Sequence, residues 1–345
     1  MPNMNADSTV PRSATGADYA ELRRKVVAAG LLKRTYAYYL YRGGMCFALL
    51  LLAVVLLFVL PATVVWTVPV IVLLGFALVQ VALIGHDAGH LEVFKDTRKN
   101  WALGQLCWSV VGGIGFWYWN DRHNRHHGHT NDVDDDPDIQ GAGLLAITFT
   151  EREGEARRGW RRTVARFQSV LIFLVLLLFA FAFRVEGMLF TLRQLHGVRK
   201  LFEVALLSLN MLLWVVLMIF LGWRGIGIFV GSQIIASIYL GAIIAPNHKG
   251  MPVWAHGTKL SFLERQVLSS RNVTSHPVWD FLFGGLNYQI EHHLFPTMPR
   301  VHFKHARAII KPFCTAHGLP YEEVDPLTSY RMVHAAFRRV GRAVA

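Results

Sequence analysis

The chain has few cysteines and few charges. Cys46, Cys107 and Cys314 are the only cysteines in 345 residues. They are scattered, which excludes a disulfide framework and a thiolate metal site and leaves them as small packing residues. Charged residues make up 17% of the chain and gather at a few places. There is no internal repeat and no low-complexity tract. The net charge of +12 comes with no nucleic-acid-binding motif, so a nucleic-acid partner is excluded. The first 20 residues are polar and expected to be mobile. They lack a basic start, an apolar core and a cleavage site, which argues against a cleaved signal peptide.

Apolar sequence is abundant. Hydrophobic residues make up 53% of the chain and the mean hydropathy is +0.34, too apolar for an ordinary soluble domain of this length. Met45 to Leu60 carries no charge and Val64 to Ile84 is nearly as apolar. Each approaches the roughly 20 residues that span hydrocarbon. Pro61 and Pro69 mark the join, so the two read as a helical hairpin. A second hairpin follows, Val204 to Gly222 and Ile226 to Ala245, with only Trp223, Arg224 and Gly225 between. Positive charge clusters at Arg23 to Arg42, at Arg157 to Arg166 and from Lys304 to Arg342, the pattern of cytoplasmic segments. Val170 to Phe183 is also apolar but has arginine on both flanks, Arg166 before it and Arg184 after. It therefore reads as a re-entrant or interfacial helix. The glycine-broken, Trp-rich stretch from Leu103 to Trp119 reads as interfacial, with aromatic anchors.

Histidine is the remaining excess. His86 and His90 follow the second apolar run at i, i+4 spacing, so on a helix both rings reach one metal. His123, His126 and His127 follow at i, i+3, i+4, enough for one helix to serve two ions. The adjacent pair His292 and His293 suits a position between two ions. Imidazole is a common ligand for iron, copper and zinc. Zinc is satisfied by four ligands, and seven clustered histidines indicate more than one ion. Soluble di-iron bundles pair Glu-x-x-His motifs with further glutamates, and no such pair occurs here. A histidine-rich di-iron site in a membrane fits. A shared site needs the clusters on one membrane face, so an even number of segments must cross. The expected fold is an all-α integral membrane protein with four transmembrane helices in two hairpins, interfacial helices and a cytoplasmic helical cap holding the di-iron site.

His-Asp-Ala-Gly-His, His-Asn-Arg-His-His and the run Asn287 to Arg300 together resemble the membrane fatty acid desaturases of the histidine-box superfamily. The resemblance covers roughly residues 40 to 320. Gln289, in place of a first histidine, is similar to the front-end desaturases and related bacterial enzymes, and Gln266 to Val273 resembles bacterial acyl-CoA desaturases. The resemblance implies a centre of two iron ions that activates O2 and removes two hydrogens from an acyl chain, giving a cis double bond. It implies His86, His90, His123, His126, His127, His292 and His293 as iron ligands, and Asn247-His248 adds His248 by motif and position. Asp87 and Glu291 are expected to orient imidazoles. Gln289, Asn247 and His129 are expected beside the ligands, with Gln289 also open to weak direct ligation. The loop holding Asp134, Asp135, Asp136 and Asp138 reads as solvated.

Many front-end desaturases carry a fused cytochrome b5 domain with a His-Pro-Gly-Gly motif. That motif is absent and the region before Met45 is too short for the domain. Electrons are therefore expected from a separate ferredoxin, rubredoxin-type protein or flavoprotein reductase. The composition points to a bacterial enzyme in the cytoplasmic membrane, its site facing the cytoplasm and its substrate an acyl-CoA or acyl-lipid. An acyl hydroxylase, ketolase or alkane monooxygenase on the same scaffold is the alternative, since the first hydrogen abstraction is shared. A metal transporter is disfavoured because the spans are nearly free of polar residues. The expected organisation is a cytoplasmic N-terminal segment over residues 1–43 and a membrane domain over 44–320, with spans near 44–62, 64–85, 204–222 and 226–245. A basic tail over 321–345 completes it.

Overall fold

The structure, a computed structural model, describes residues 14–140 and 147–344. The N-terminus expected to be mobile lies, through residue 13, outside the described residues. Thr15 and Asp18 form a reciprocal capping box that starts α1 (Gly16–Ala28). The first hairpin follows as α2 (Tyr36–Val59) and α3 (Val64–Gly89). Next come α4 (Thr97–Gln105), a π-helical stretch (Leu106–Gly112), α5 (Phe116–Gly128) and the short α6 (Glu151–Ala156). Helices α7 (Trp160–Leu177) and α8 (Phe179–Gln194) precede the second hairpin, α9 (Gly197–Leu221) and α10 (Trp223–His248). The rest is a cap: α11 (Phe262–Leu268), β1 (Asn272–Val273), α12 (Pro277–Leu282), α13 (Gln289–Leu294), α14 (Phe303–Ala316), β2 (Glu323–Val324) and α15 (Pro326–Ala343).

Four helices are long and apolar enough to cross a membrane: α2, α3, α9 and α10. Helices α2 and α9 begin at Tyr36 and Gly197, before the expected 44 and 204, and α3 and α10 run on to Gly89 and His248, past the expected 85 and 245. They are not equivalent. The apolar window of α3 is 67% buried against 11% for α9, so α3 is the axis of the bundle and α9 faces lipid. Close packing of α3 on α10 depends on Gly75, where a Cβ would fall 2.6 Å from Cβ of Ile235.

Helices α7 and α8 meet at 69°. The two helices form a V. Arg162 of α7 donates to the carbonyl of Val344 beyond α15, and Lys200 in the first turn of α9 donates to Leu192 O of α8. The pair is thus tied to the end of α15 on one side and to the start of α9 on the other. Residues 321–344 pack on the rest of the fold: β2 pairs in parallel with β1, and α15 packs against α7 and α10. The Trp-rich stretch is not an interfacial belt. Trp108 of the π-helical stretch and Trp119 of α5 are buried and stacked on each other, centroids 4.8 Å apart. The cap has its own apolar core, with Leu22 and Val26 of α1, Leu263 of α11, Ile290 of α13 and Phe303 and Ile310 of α14 in one cluster.

Candidate metal centre

Each histidine reaches the centre from an element whose end is fixed. α3 stops right after the first cluster. Glu92 N donates to Asp87 O at 2.9 Å and Leu91 N to Ala88 O at 3.0 Å, a Schellman pattern. Leu91 occupies its left-handed position, φ 61°, where glycine is usual. Gly89 is needed for another reason: a Cβ there would lie 2.2 Å from the Trp119 ring. That ring stacks on His123 at 4.8 Å and meets His86 edge-on at 5.6 Å. α5, which carries the second cluster, has a carboxylate at its N-terminus. Oε1 of the buried Glu203 accepts from Phe116 N at 2.6 Å and from Ser109 Oγ at 2.8 Å. A negative group there complements the helix dipole.

All eight named imidazoles converge. His86, His90, His123 and His292 form one set whose ring nitrogens lie within 4.8 Å of one another. His126, His248 and His293 form a second, and His127 joins His292 and His293 in a third between them. Ring nitrogens face each other closely: His123 and His86 Nε2 at 3.1 Å, His127 and His123 Nε2 at 3.2 Å, His126 and His248 Nε2 at 3.3 Å. His90 Nε2, His293 Nε2 and both nitrogens of His292 are buried without a partner among the described residues. Burial, with repulsion between neighbouring imidazoles, disfavours the protonated form of these rings. It pushes His90 down to about 3, and His123, His127, His292 and His293 well below the usual imidazole range.

The outer nitrogens show which lone pairs point inward. His126 Nδ1 lies 2.9 Å from Asp136, His248 Nδ1 lies 2.9 Å from Ser269 O, and His293 Nδ1 lies 2.9 Å from Gln266 Oε1. These partners only accept, so each Nδ1 carries the proton and each Nε2 presents a lone pair to the centre. His86 Nδ1 is 3.2 Å from Asp87 Oδ1, and Arg300 binds the other Asp87 oxygen and Leu83 O. Converging imidazoles, several with a proton held outward and with His90, His292 and His293 offering buried nitrogens that have no partner among the described residues, are a donor set that fits a two-iron centre.

Three expectations change. Asp136 is not in a solvated loop: it is fully buried, with backbone N–H groups of Asn131 and Asp138 bonded to its carboxylate. Glu291 does not orient an imidazole. Its oxygens accept from Asn272 Nδ2 and Tyr321 OH, and burial pushes it up to about 7. His129 lies at the surface, 3.7 Å from Asp135, because α5 ends one residue earlier and the chain turns away. Asn247 and Gln289 do lie beside the centre. Asn247 Nδ2 donates to Gln289 Oε1 at 3.0 Å, which leaves Gln289 Nε2 at 2.9 Å from His248 Nε2. Sequence reasoning missed Trp119, Glu203, Ser269 and Arg300. Only Arg300 had a signal, as the last residue of the third histidine run.

The centre opens onto an apolar cavity of about 910 Å³. His86, His123, His126, His248 and Gln289 line its roof, and Leu176, Phe179 and Phe183 of the α7–α8 V line its side. Along α10 it reaches from His248 to Ile238, ten residues or about 15 Å.

Comparison with known proteins agrees with this architecture. Residues 65–325 match the family described as Fatty acid desaturase. The Delta(8)-fatty-acid desaturase of Euglena gracilis is 28% identical over 346 residues, covering 94% of this chain and 80% of that protein. The Delta(6)-fatty-acid desaturase fat-3 of Caenorhabditis elegans is 26% identical, covering 91% and 72%. Fatty acid desaturase 3 of Bos taurus is 27% identical, covering 94% and 73%. The match spans the first hairpin's inner helix, all three histidine clusters and the second hairpin, and the chain belongs to the fatty acid desaturase family.

Proposed function

We propose that the protein inserts a double bond into a fatty acyl chain held in the apolar cavity, using two iron ions bound by the eight converging histidines. The observation that carries the reading is that four of these imidazoles, His86, His123, His126 and His248, roof a cavity of about 910 Å³, near the upper end of the roughly 300–1,000 Å³ of small-molecule sites. His86, His90, His123 and His292 would hold one ion, and His126, His248 and His293 the other, with His127 between. Bound iron would supply the O2 activation and oxidising power that no side chain provides for an unactivated methylene. The balance is one CH2–CH2 unit, O2, two electrons and two protons giving CH=CH and two waters.

The chain's own residues do the rest. The apolar walls keep water from the reacting methylenes and fix which pair lies under the roof. Asp136, Ser269 and Gln266 keep the lone pairs directed inward. The relatives are named as Delta(5), Delta(6) and Delta(8) fatty acid desaturases, which supports a fatty acyl substrate, as acyl-CoA or acyl-lipid. The two electrons come from a separate ferredoxin, rubredoxin-type or flavoprotein donor. Basic flanks at the histidine end support a cytoplasmic orientation, in a bacterial cytoplasmic membrane by composition.

The test is expression in a host lacking its own desaturase, with a compatible electron donor and a His127→Ala control. Gas chromatography–mass spectrometry of total fatty acids should show a new unsaturated acid that is absent from the control. A hydroxy or keto product instead would move the assignment to oxygenation. No product together with no bound iron would overturn it.

A further inference from the structure

The cavity has a wall that the histidine motifs do not supply. α15 starts at Asp325, whose carboxylate accepts from Thr328 N at 3.0 Å, with Pro326 in the first helical position. Tyr330, Val333, His334 and Phe337 of this helix line the cavity. Their i, i+3, i+4, i+7 spacing is a single helical face. α15 begins immediately past residue 325, where the family match ends.

Its attachment follows from a proline. Pro246, in the last turns of α10, has no N–H to give to Ala242 O. Tyr330 OH takes that carbonyl instead, at 2.9 Å, and Ser329 Oγ donates to Pro246 O at 3.0 Å. At the other end Arg162 Nε of α7 donates to Val344 O at 3.1 Å. The helix therefore bridges α7 and α10, the two helices that flank the cavity, and none of its side chains belongs to the converging histidine sets.

We propose that α15 selects the acyl chain, with Val333 and Phe337 as specificity-determining side chains. The proposal rests on the reading of the cavity as an acyl site. A bulkier side chain at 333 shortens the space beside the reacting methylenes. A smaller one at 337 extends it. Neither touches a metal-binding nitrogen, so chain preference changes while the centre stays intact.

The experiment uses the full-length protein in detergent and its Val333→Phe and Phe337→Ala variants. Each is given saturated fatty acids and their coenzyme A thioesters, graded in chain length, with O2 and a ferredoxin–ferredoxin reductase–NADPH system as the electron source. Bound chains are identified by mass spectrometry after washing, products by gas chromatography, and iron by elemental analysis. Val333→Phe should shift the bound and converted chains shorter and Phe337→Ala longer. The ratio between neighbouring lengths should change about tenfold, the scale of a methylene in an apolar pocket, at unchanged iron content. Should Phe337→Ala not fold, Val333→Ala enlarges the same wall by a smaller step. Unchanged chain profiles in both directions would overturn the proposal. If chains bind and shift but no product forms, the selection by α15 stands and the desaturase reading falls. If the wild-type protein binds no acyl chain, both fall.

Discussion

The two ends of the histidine centre are held by different means. In the trio His126, His248 and His293, every outer nitrogen rests on a fixed acceptor: Asp136, Ser269 O and Gln266. In the quartet His86, His90, His123 and His292, only His86 has such a support among the described residues, Asp87, and its strength comes from the buried Arg300. The quartet instead draws its order from helix geometry, with His86 and His90 one turn apart and His123 stacked under Trp119. A ligand set can thus be organised by the pitch of its own helix or by hydrogen bonds imported from distant segments. This centre uses one at each end.

The difference can be broken from either side. The largest effect expected is from Arg300→Met, which leaves Asp87 buried without its cation. Breaking such a pair costs about 3–5 kcal/mol, and urea unfolding in detergent should show it. Unaltered unfolding would mean that the quartet does not lean on this arginine. Asp136→Ala should cost about 10–100-fold in metal affinity and act on the trio, so bound iron per chain should fall from about two toward one. Elemental analysis with Mössbauer spectroscopy would read it, and loss of both ions together would show that the ends are not independent. Gln266→Ala should be milder, about tenfold, because Thr130 Oγ remains 3.3 Å from His293 Nδ1. Iron titration separates this variant from Asp136→Ala, and an equal loss would contradict the ranking. His129→Ala should leave iron content unchanged and stability within about 0.5 kcal/mol, since its ring lies outside the centre. Loss of iron there would restore it to the site.

The same division separates what could be read in advance from what could not. The sequence by itself determined the four long apolar helices, their pairing into hairpins and the seven clustered histidines that converge, because hydrocarbon thickness and helical spacing act within a segment, while His248 came only through the resemblance at Asn247-His248. Only the tertiary structure decided which partner each imidazole receives. Asp136 reads as one more acidic loop residue until the turn at Asn131 buries it under His126. Glu291 sits in the third cluster yet turns to Tyr321, and Trp119 sits in an apparent membrane belt yet packs on Gly89. α15 reads as a basic tail until a proline-freed carbonyl gives Tyr330 a place to bind. These outcomes depend on contacts between residues far apart in the chain. Burial, which sets whether a polar group finds a partner or a cost, is a property of the packed whole.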